Sequence, residues 1–394
     1  MSILSKEEAL GSLLSEARGV RETERIAIET ALGRILAEDL VSGVDVPAFD
    51  NSAMDGIAIA LDGQEEFEIS QRIAAGEEPA PLRKGTAARI FTGAKIPEGA
   101  QAVVMQEDVV FDGDKALLQR KPQAGENIRR RGEDIARGSV FLRAGTKLRP
   151  QELALVASVG IAETRVYRKL KVALFFTGSE LVMPGIPLPP GKIYNSNRYA
   201  LIALLESLHC EILDLGIVPD DLEATVSMLM TAREKADLVM TCGGVSVGEE
   251  DHVKAAVEKL GSLTLWKVAV KPGKPFAFGD LSGIPFIGLP GNPVSAFLVF
   301  CTFARPYLLR SQGAAKCLPS GTLLDAEFEA KAGKRLEWLR ARLSEESGVV
   351  VHENQGSAAL SPLSWAEGIV EIPAGTTISR GQKVRFYSFA ELLS

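Results

Sequence analysis

What this chain is short of narrows it quickly. Its four cysteines, Cys210, Cys242, Cys301 and Cys317, lie far apart with no CxxC pair. That pattern belongs to a reducing compartment and argues against both a disulfide framework and a zinc site. The three histidines, His209, His252 and His352, are scattered, and no HExxH motif holds any of them. GxxxxGK[ST] and GxGxxG are missing too, so there is neither a P-loop nor a dinucleotide fingerprint. Basic residues are in the minority, 44 Lys and Arg against 51 Asp and Glu, and the net charge of −7 leaves no dominant basic face for nucleic acid. The one dense basic run, Arg129-Arg130-Arg131, is followed at once by Gly132-Glu133-Asp134. No apolar run approaches the ~18 residues that span a bilayer. The opening residues lack the basic start and long apolar core of a signal peptide. A cytoplasmic protein with no nucleic-acid or membrane partner is expected.

What is there points to several domains, since 394 residues exceed one ordinary core. Ser5-Lys6-Glu7-Glu8 reads as a capping box ahead of a helix that presents Ala9, Leu10, Leu13, Leu14 and Ala17 until Gly19. "RIAIETALGRILAEDL" reads as a second helix ending near Leu40. From about Ile57 to Arg143, short alternating segments separated by Gly and Pro predict a small β domain. "RPQELALVASVGI" returns to helix. Between Tyr167 and about Arg310, strand, loop and helix repeat as in a doubly wound parallel sheet, closed by "NPVSAFLVFCTFARPYLL" as a helix capped by Asn292. After about Ser320 the texture is β again.

In open parallel sheets, ligands collect at the loops after the strands' carboxyl ends. Those loops here carry Thr177, Gly178 and Glu180, then Asp220-Asp221, then "CGGVSVGEED" with Gly243, Gly244, Ser246, Glu249, Glu250 and Asp251. "KVAVKPGKP" adds Lys267, Lys271 and Lys274, and "GLPGNPVS" adds Pro290, Asn292 and Ser295 beside free amides at a helix start. Carboxylates, lysines and exposed amides on one edge describe a polyanion site with a divalent cation. Plainer readings exist for each piece. Asp220 suits a helix N-cap, Asn292-Pro293 a helix start, and the lysines flanking Pro272-Gly273 a solvated turn. Outside this region, Asp50 and Asn51 read as turn chemistry, whereas Asp55 beside Gly56 suggests something close to the backbone. Thr92, Glu107 and Asp134 are further polar candidates there.

Seven segments, "DNSAMDG", "TGAKIPEGAQAVVMQED", "RRRGEDI", "GKIYNSNRYAL", "GGVSVGEED", "KPGKPFAFG" and "LPGNPVSAF", occur in order. Together they resemble the molybdopterin molybdenumtransferase family, which includes the E domain of gephyrin. The resemblance implies a multidomain α/β and β fold. Its parts would be an N-terminal helix (1–22), a helical linking region (23–47 and 139–166), an inserted β domain (48–138), a molybdopterin-binding α/β domain with a mostly parallel sheet (167–314) and a C-terminal β-barrel-like domain (315–394). It implies a homodimer with a composite active site, possible contact with the upstream molybdopterin adenylyltransferase, and insertion of molybdenum from molybdate into adenylylated molybdopterin, with Mg²⁺ present and AMP released. By the same resemblance Asp55, Thr92, Asp134, Glu180, Asp220, Asp251 and Lys267 are catalytic, with Asp220 or Asp251 on the metal. Gly243, Gly244, Ser246, Lys271, Lys274, Pro290, Asn292, Ser295, Arg340 and Ser357 would hold pterin phosphate, adenylate and molybdate. Ser179, Ile57 and the "GEED" loop depart from the family's usual residues. Tungsten insertion and a gephyrin-like scaffold role stay open as alternatives.

Overall fold

The computed structural model describes residues 3–245 and 252–393. Apolar strands with helices between them build the middle of the chain. Lys171–Thr177, Leu238–Cys242 and Ile284–Leu289 are almost wholly buried, as a sheet covered on both faces requires. With the edge strand Glu211–Val218 they form the parallel part of a six-stranded sheet. Pro275–Leu281 and Ser262–Lys267 complete it antiparallel, so the expected parallel sheet is mixed. The reason is local: Ser282 (φ 54°) and Gly283 (φ 105°) make a two-residue turn, which can join only antiparallel neighbours.

Helices Leu222–Lys235 and His252–Leu260 cover one face, while Ser196–Ser207 and Pro293–Val299 cover the other. The closing helix is not continuous. It passes through a π-turn at Phe300–Ala304 into Arg305–Ser311, just ahead of Pro306, which has no N–H to extend the regular ladder. Among the described residues no helix is long and apolar enough to cross a membrane.

The first helix spans Lys6–Ser15, and its capping box forms: Glu8 N–H donates to Ser5 Oγ at 3.2 Å, and Ser5 N–H to Glu8 Oε2 at 2.8 Å. It stops short of Gly19, and its Ala9, Leu10 and Leu13 join the core of the α/β sheet. The helix expected over "RIAIETALGRILAEDL" does not form. Thr23–Ala27 is a strand paired with Glu163–Tyr167, followed by one 3₁₀ turn at Ile28–Thr30. Long-range pairing has overridden local helix preference, and Gly33 (φ 75°) seals the outcome. A Cβ there would lie 1.8 Å from His209 Nε2. The helix expected after Arg149 does form, as Pro150–Ser158.

The insertion is a six-stranded sheet in the order Ala102–Met105, Gly56–Ile59, Thr86–Ile90, Glu66–Ile73, Lys115–Leu118, Val109–Asp112. Asp50 and Asn51 are more than turn residues. Asn51 pairs with Arg129, while Asp50 accepts from Arg130 Nη1 at 2.6 Å and Arg131 N–H at 2.8 Å. Arg131 also pairs with Asp45, so these acids absorb much of the basic run. The tail forms a curled sheet of Leu336–Leu343, Gly368–Ile372, Lys383–Ser388 and Thr322–Asp325. Its other edge is Val270–Lys271, contributed from the α/β region and parallel to Leu336–Glu337. Trp338, Ile369 and Tyr387 extend the α/β core into the tail.

Candidate active site

The parallel strands all deliver their last residues, Thr177, Val218, Cys242 and Leu289, to one edge of the sheet. The following loops enclose a cleft of about 700 Å³. Gly178, Glu180, Asp220, Gly243, Gly244, Pro290, Asn292 and Ser295 line it, as the loop positions foretell. Ser246, Glu249, Glu250 and Asp251 lie outside the described residues.

The two glycines answer first to their own packing. Gly243 (φ 96°) would put a Cβ 2.5 Å from the Thr177 carbonyl oxygen, and Gly244 (φ 65°) would put one 2.7 Å from Thr177 Oγ1. Thr177 is buried, and among the described residues its Oγ1 has no hydrogen-bond partner. Gly243→Ala therefore meets both left-handed strain and backbone overlap. We expect it to lower stability by about 3 kcal/mol, measured as a shifted denaturant midpoint.

Two carboxylates stand at the rim. Asp221, not Asp220, caps the helix Leu222–Lys235, accepting from Ala224 N–H at 2.8 Å. Asp220 reaches across instead and accepts from Ser179 N–H at 2.7 Å, which ties two strand-end loops together. Glu180 folds back over Gly178, where a Cβ would lie 2.6 Å from its Oε2.

The cations are arranged differently from the sequence expectation, since Lys267, Lys271 and Lys274 do not line the cleft. Lys271 sits in a strand rather than a turn; its side chain stays exposed and pairs with Glu337 at 3.0 Å. Lys274 is exposed, and Lys267 is half-buried at the end of its strand. Asn292 occupies the N-cap position without capping; its Nδ2 donates to Ser357 Oγ at 3.2 Å. Val294 N–H donates to the Ser357 carbonyl at 3.0 Å, so a tail loop closes the cleft with Ala358 in its wall.

Arg340 organises that loop. Its side chain is wholly buried, and Nη2 donates to the carbonyls of Asn354 (3.1 Å) and Gly356 (3.2 Å). Gln355 clamps the same segment onto the Arg340 backbone at 2.9 and 3.1 Å. Among the described residues Nε and Nη1 have no partner, and burial pushes the guanidinium pKa down to about 10. A buried cation with two idle donors suits an anion, although Arg340 itself does not line the cleft.

Asp55, Thr92 and Asp134 do not line the cleft. Asp55 Oδ1 accepts from both Thr92 N–H and Thr92 Oγ1, each at 2.8 Å. What crowds the adjacent Gly56 is its own sheet: a Cβ would lie 1.8 Å from the Val104 carbonyl oxygen. Asp134 is exposed. The Thr92 N–H, then the Thr92 hydroxyl, then the charge of Arg89 hold the Asp55 carboxyl below its usual range. Its stabilising effect is present above the unfolded carboxyl's pKa of about 3.9 and is lost as pH falls through the lower folded value. Thr92→Val removes one donor and should move the Asp55 midpoint upward in a carboxyl NMR titration; an unmoved midpoint would refute the role of that hydroxyl.

Sequence reasoning missed Asn197 and the Ser179 amide. The "NSN" run reads as one helix cap, and Asn195 fills that role by accepting from Arg198 N–H. A backbone donor leaves no mark in composition.

Comparison with known proteins agrees along the chain. A MoeA N-terminal region (domains I and II) matches residues 4–160, a probable molybdopterin binding domain 173–310, and a MoeA C-terminal region (domain IV) 326–389. A molybdopterin molybdenumtransferase of Haemophilus influenzae is 45% identical over 370 residues, covering 92% of this chain and 90% of its own. One from Bacillus subtilis is 36% identical, covering 90% and 87%. A crystal structure of the molybdopterin biosynthesis moeA protein from Pyrococcus horikoshii OT3 superposes with a TM-score of 0.85 at 31% identity, covering 98% of this chain and all of that one.

Proposed function

This chain belongs to the molybdopterin molybdenumtransferase family, and on that premise we propose that it inserts molybdenum from molybdate into adenylylated molybdopterin, with Mg²⁺ present and AMP released. The observation that carries the reading is Arg340, a buried guanidinium whose Nε and Nη1 have no acceptor among the described residues, behind the loop that puts Ala358 in the cleft wall. A tetrahedral oxyanion supplies such acceptors, and Ser295, Lys271 and Lys274 are the further groups proposed to hold it. Lys271 would then exchange its Glu337 partner for the anion.

The carboxylates suit a hard cation. Asp220 and Glu180 line the cleft with oxygen donors, and Mg²⁺ ordinarily takes one or two carboxylates and completes its shell from substrate phosphates and water. Asp220, with Asp251 or Glu180, would hold it. Bound there, Mg²⁺ would neutralise pyrophosphate charge and the charge growing on departing AMP. The chain's own part is positioning. Gly243, Gly244 and Ser246 would receive the pterin phosphate, and the Ser179 N–H would fix Asp220.

Asp55, Thr92 and Asp134 lie away from the cleft, which favours a homodimer in which one subunit's insertion serves the other's cleft. The upstream adenylyltransferase would hand over the substrate. The deciding experiment measures AMP release from adenylylated molybdopterin with and without molybdate. Molybdate-dependent release is expected, and release indifferent to molybdate and tungstate would overturn the proposal. Tungstate, nearly the same in size and charge, is the natural second arm.

A further inference from the structure

Asn197, in the first turn of the helix Ser196–Ser207, lines the cleft. Its Nδ2 donates to the Gly291 carbonyl at 2.7 Å and to Cys242 Sγ at 3.1 Å, which engages both amide hydrogens. Cys242 Sγ in turn lies 3.1 Å from the Pro290 carbonyl and donates to it. Burial pushes the Cys242 thiol up to about 12, so its proton stays in place. A reversed amide would set Oδ1 against the Gly291 carbonyl, so the orientation is fixed. Among the described residues Oδ1 has no partner, and it is not sealed from solvent. The function left for a ligand is therefore an acceptor. Phosphate and molybdate oxygens, themselves acceptors, gain nothing from it.

We propose that Asn197 Oδ1 recognises the amino-bearing edge of the substrate's fused nitrogen heterocycle, making Asn197 a specificity residue of the cleft. The proposal rests on the cleft being the pterin–nucleotide site. Pterin and adenine both carry such an edge, and they share the same hydrogen-bond chemistry: an exocyclic amino group donating to a fixed carbonyl oxygen. Leu181 and Ile193 give the same cleft apolar surface against which a flat ring can lie. The strand end and the "PGN" loop that Asn197 bridges are held at a set separation by the same side chain, so recognition and loop spacing are coupled.

The test compares ligands that differ in this one group. Pterin is set against lumazine, and AMP against IMP; in each pair an exocyclic amino donor becomes a carbonyl acceptor. Equilibrium binding to the full native chain should favour the amino member of one pair by about tenfold. Asn197→Leu should bring that ratio to about one. The pair that loses discrimination identifies the ring. A residue with a merely structural role would weaken both members of a pair alike and preserve the ratio. A ratio that survives in Asn197→Leu would overturn the proposal, as would the absence of any preference in the native chain. If the leucine variant does not fold, Asn197→Ala takes its place, and the native ratios stand as a test without any variant. Failure of the transferase reading would appear separately, as AMP release indifferent to molybdate.

Discussion

Arg340→Met should reduce molybdate-dependent product formation about a hundredfold in kcat/KM without lowering the thermal midpoint. The first half follows from two charge-assisted hydrogen bonds to an oxyanion, together worth about 3 kcal/mol. The second follows from the cost of burying an unpaired cation. Burial lowers the Arg340 pKa toward about 10, which means that the folded state disfavours its charge. For a base so shifted, stability rises only as pH climbs through that folded value, so at neutral pH the charge opposes folding throughout. An apolar side chain of similar length relieves this, offsetting the lost bonds to Asn354 and Gly356. Arg340→Lys should fall between, keeping the charge and losing the planar fork. Added molybdate should raise the midpoint of the native chain and leave that of Arg340→Met unmoved. A methionine variant that binds molybdate normally would remove Arg340 from the anion site.

Asp220 gives the second large effect. Asp220→Asn keeps an oxygen that can accept from Ser179 N–H and removes only the charge. It should lower kcat about a hundredfold and raise the half-saturating Mg²⁺ concentration about tenfold. Asp220→Ala also releases the loop, so substrate KM should rise in that variant alone. Equal KM values for the two variants would show that the Ser179 contact positions nothing. An unaltered Mg²⁺ dependence in Asp220→Asn would take the cation away from this carboxylate.

The cleft was legible in the chain because strand-end loops in such sheets are where ligands gather, and Glu180, Asp220, Gly243, Gly244, Pro290, Asn292 and Ser295 do meet there. The antiparallel edge was less so: whether "PFAFGD" and "IPFIGLPG" run parallel depends on the Ser282-Gly283 turn between them, not on their apolar content. The false helix after Arg25 had sound periodicity. Its strand exists because residues Glu163–Tyr167, far away in sequence, pair with it. The ion pair of the exposed Lys271 was hidden because its partner Glu337 belongs to another part of the chain. The Arg340 environment was likewise invisible, since a short "LRARL" does not say that one arginine is sealed inside.

The strand Val270–Lys271 belongs by sequence to the α/β region and by hydrogen bonding to the tail sheet. Shuffling of modules by recombination would have to respect that stitch. A tail exchanged at any junction downstream of Gly313 arrives lacking an edge strand, and the recipient core keeps a two-residue ribbon with nothing to zip onto. The tail and the α/β core are thus heritable as one piece, although the chain can be drawn as two.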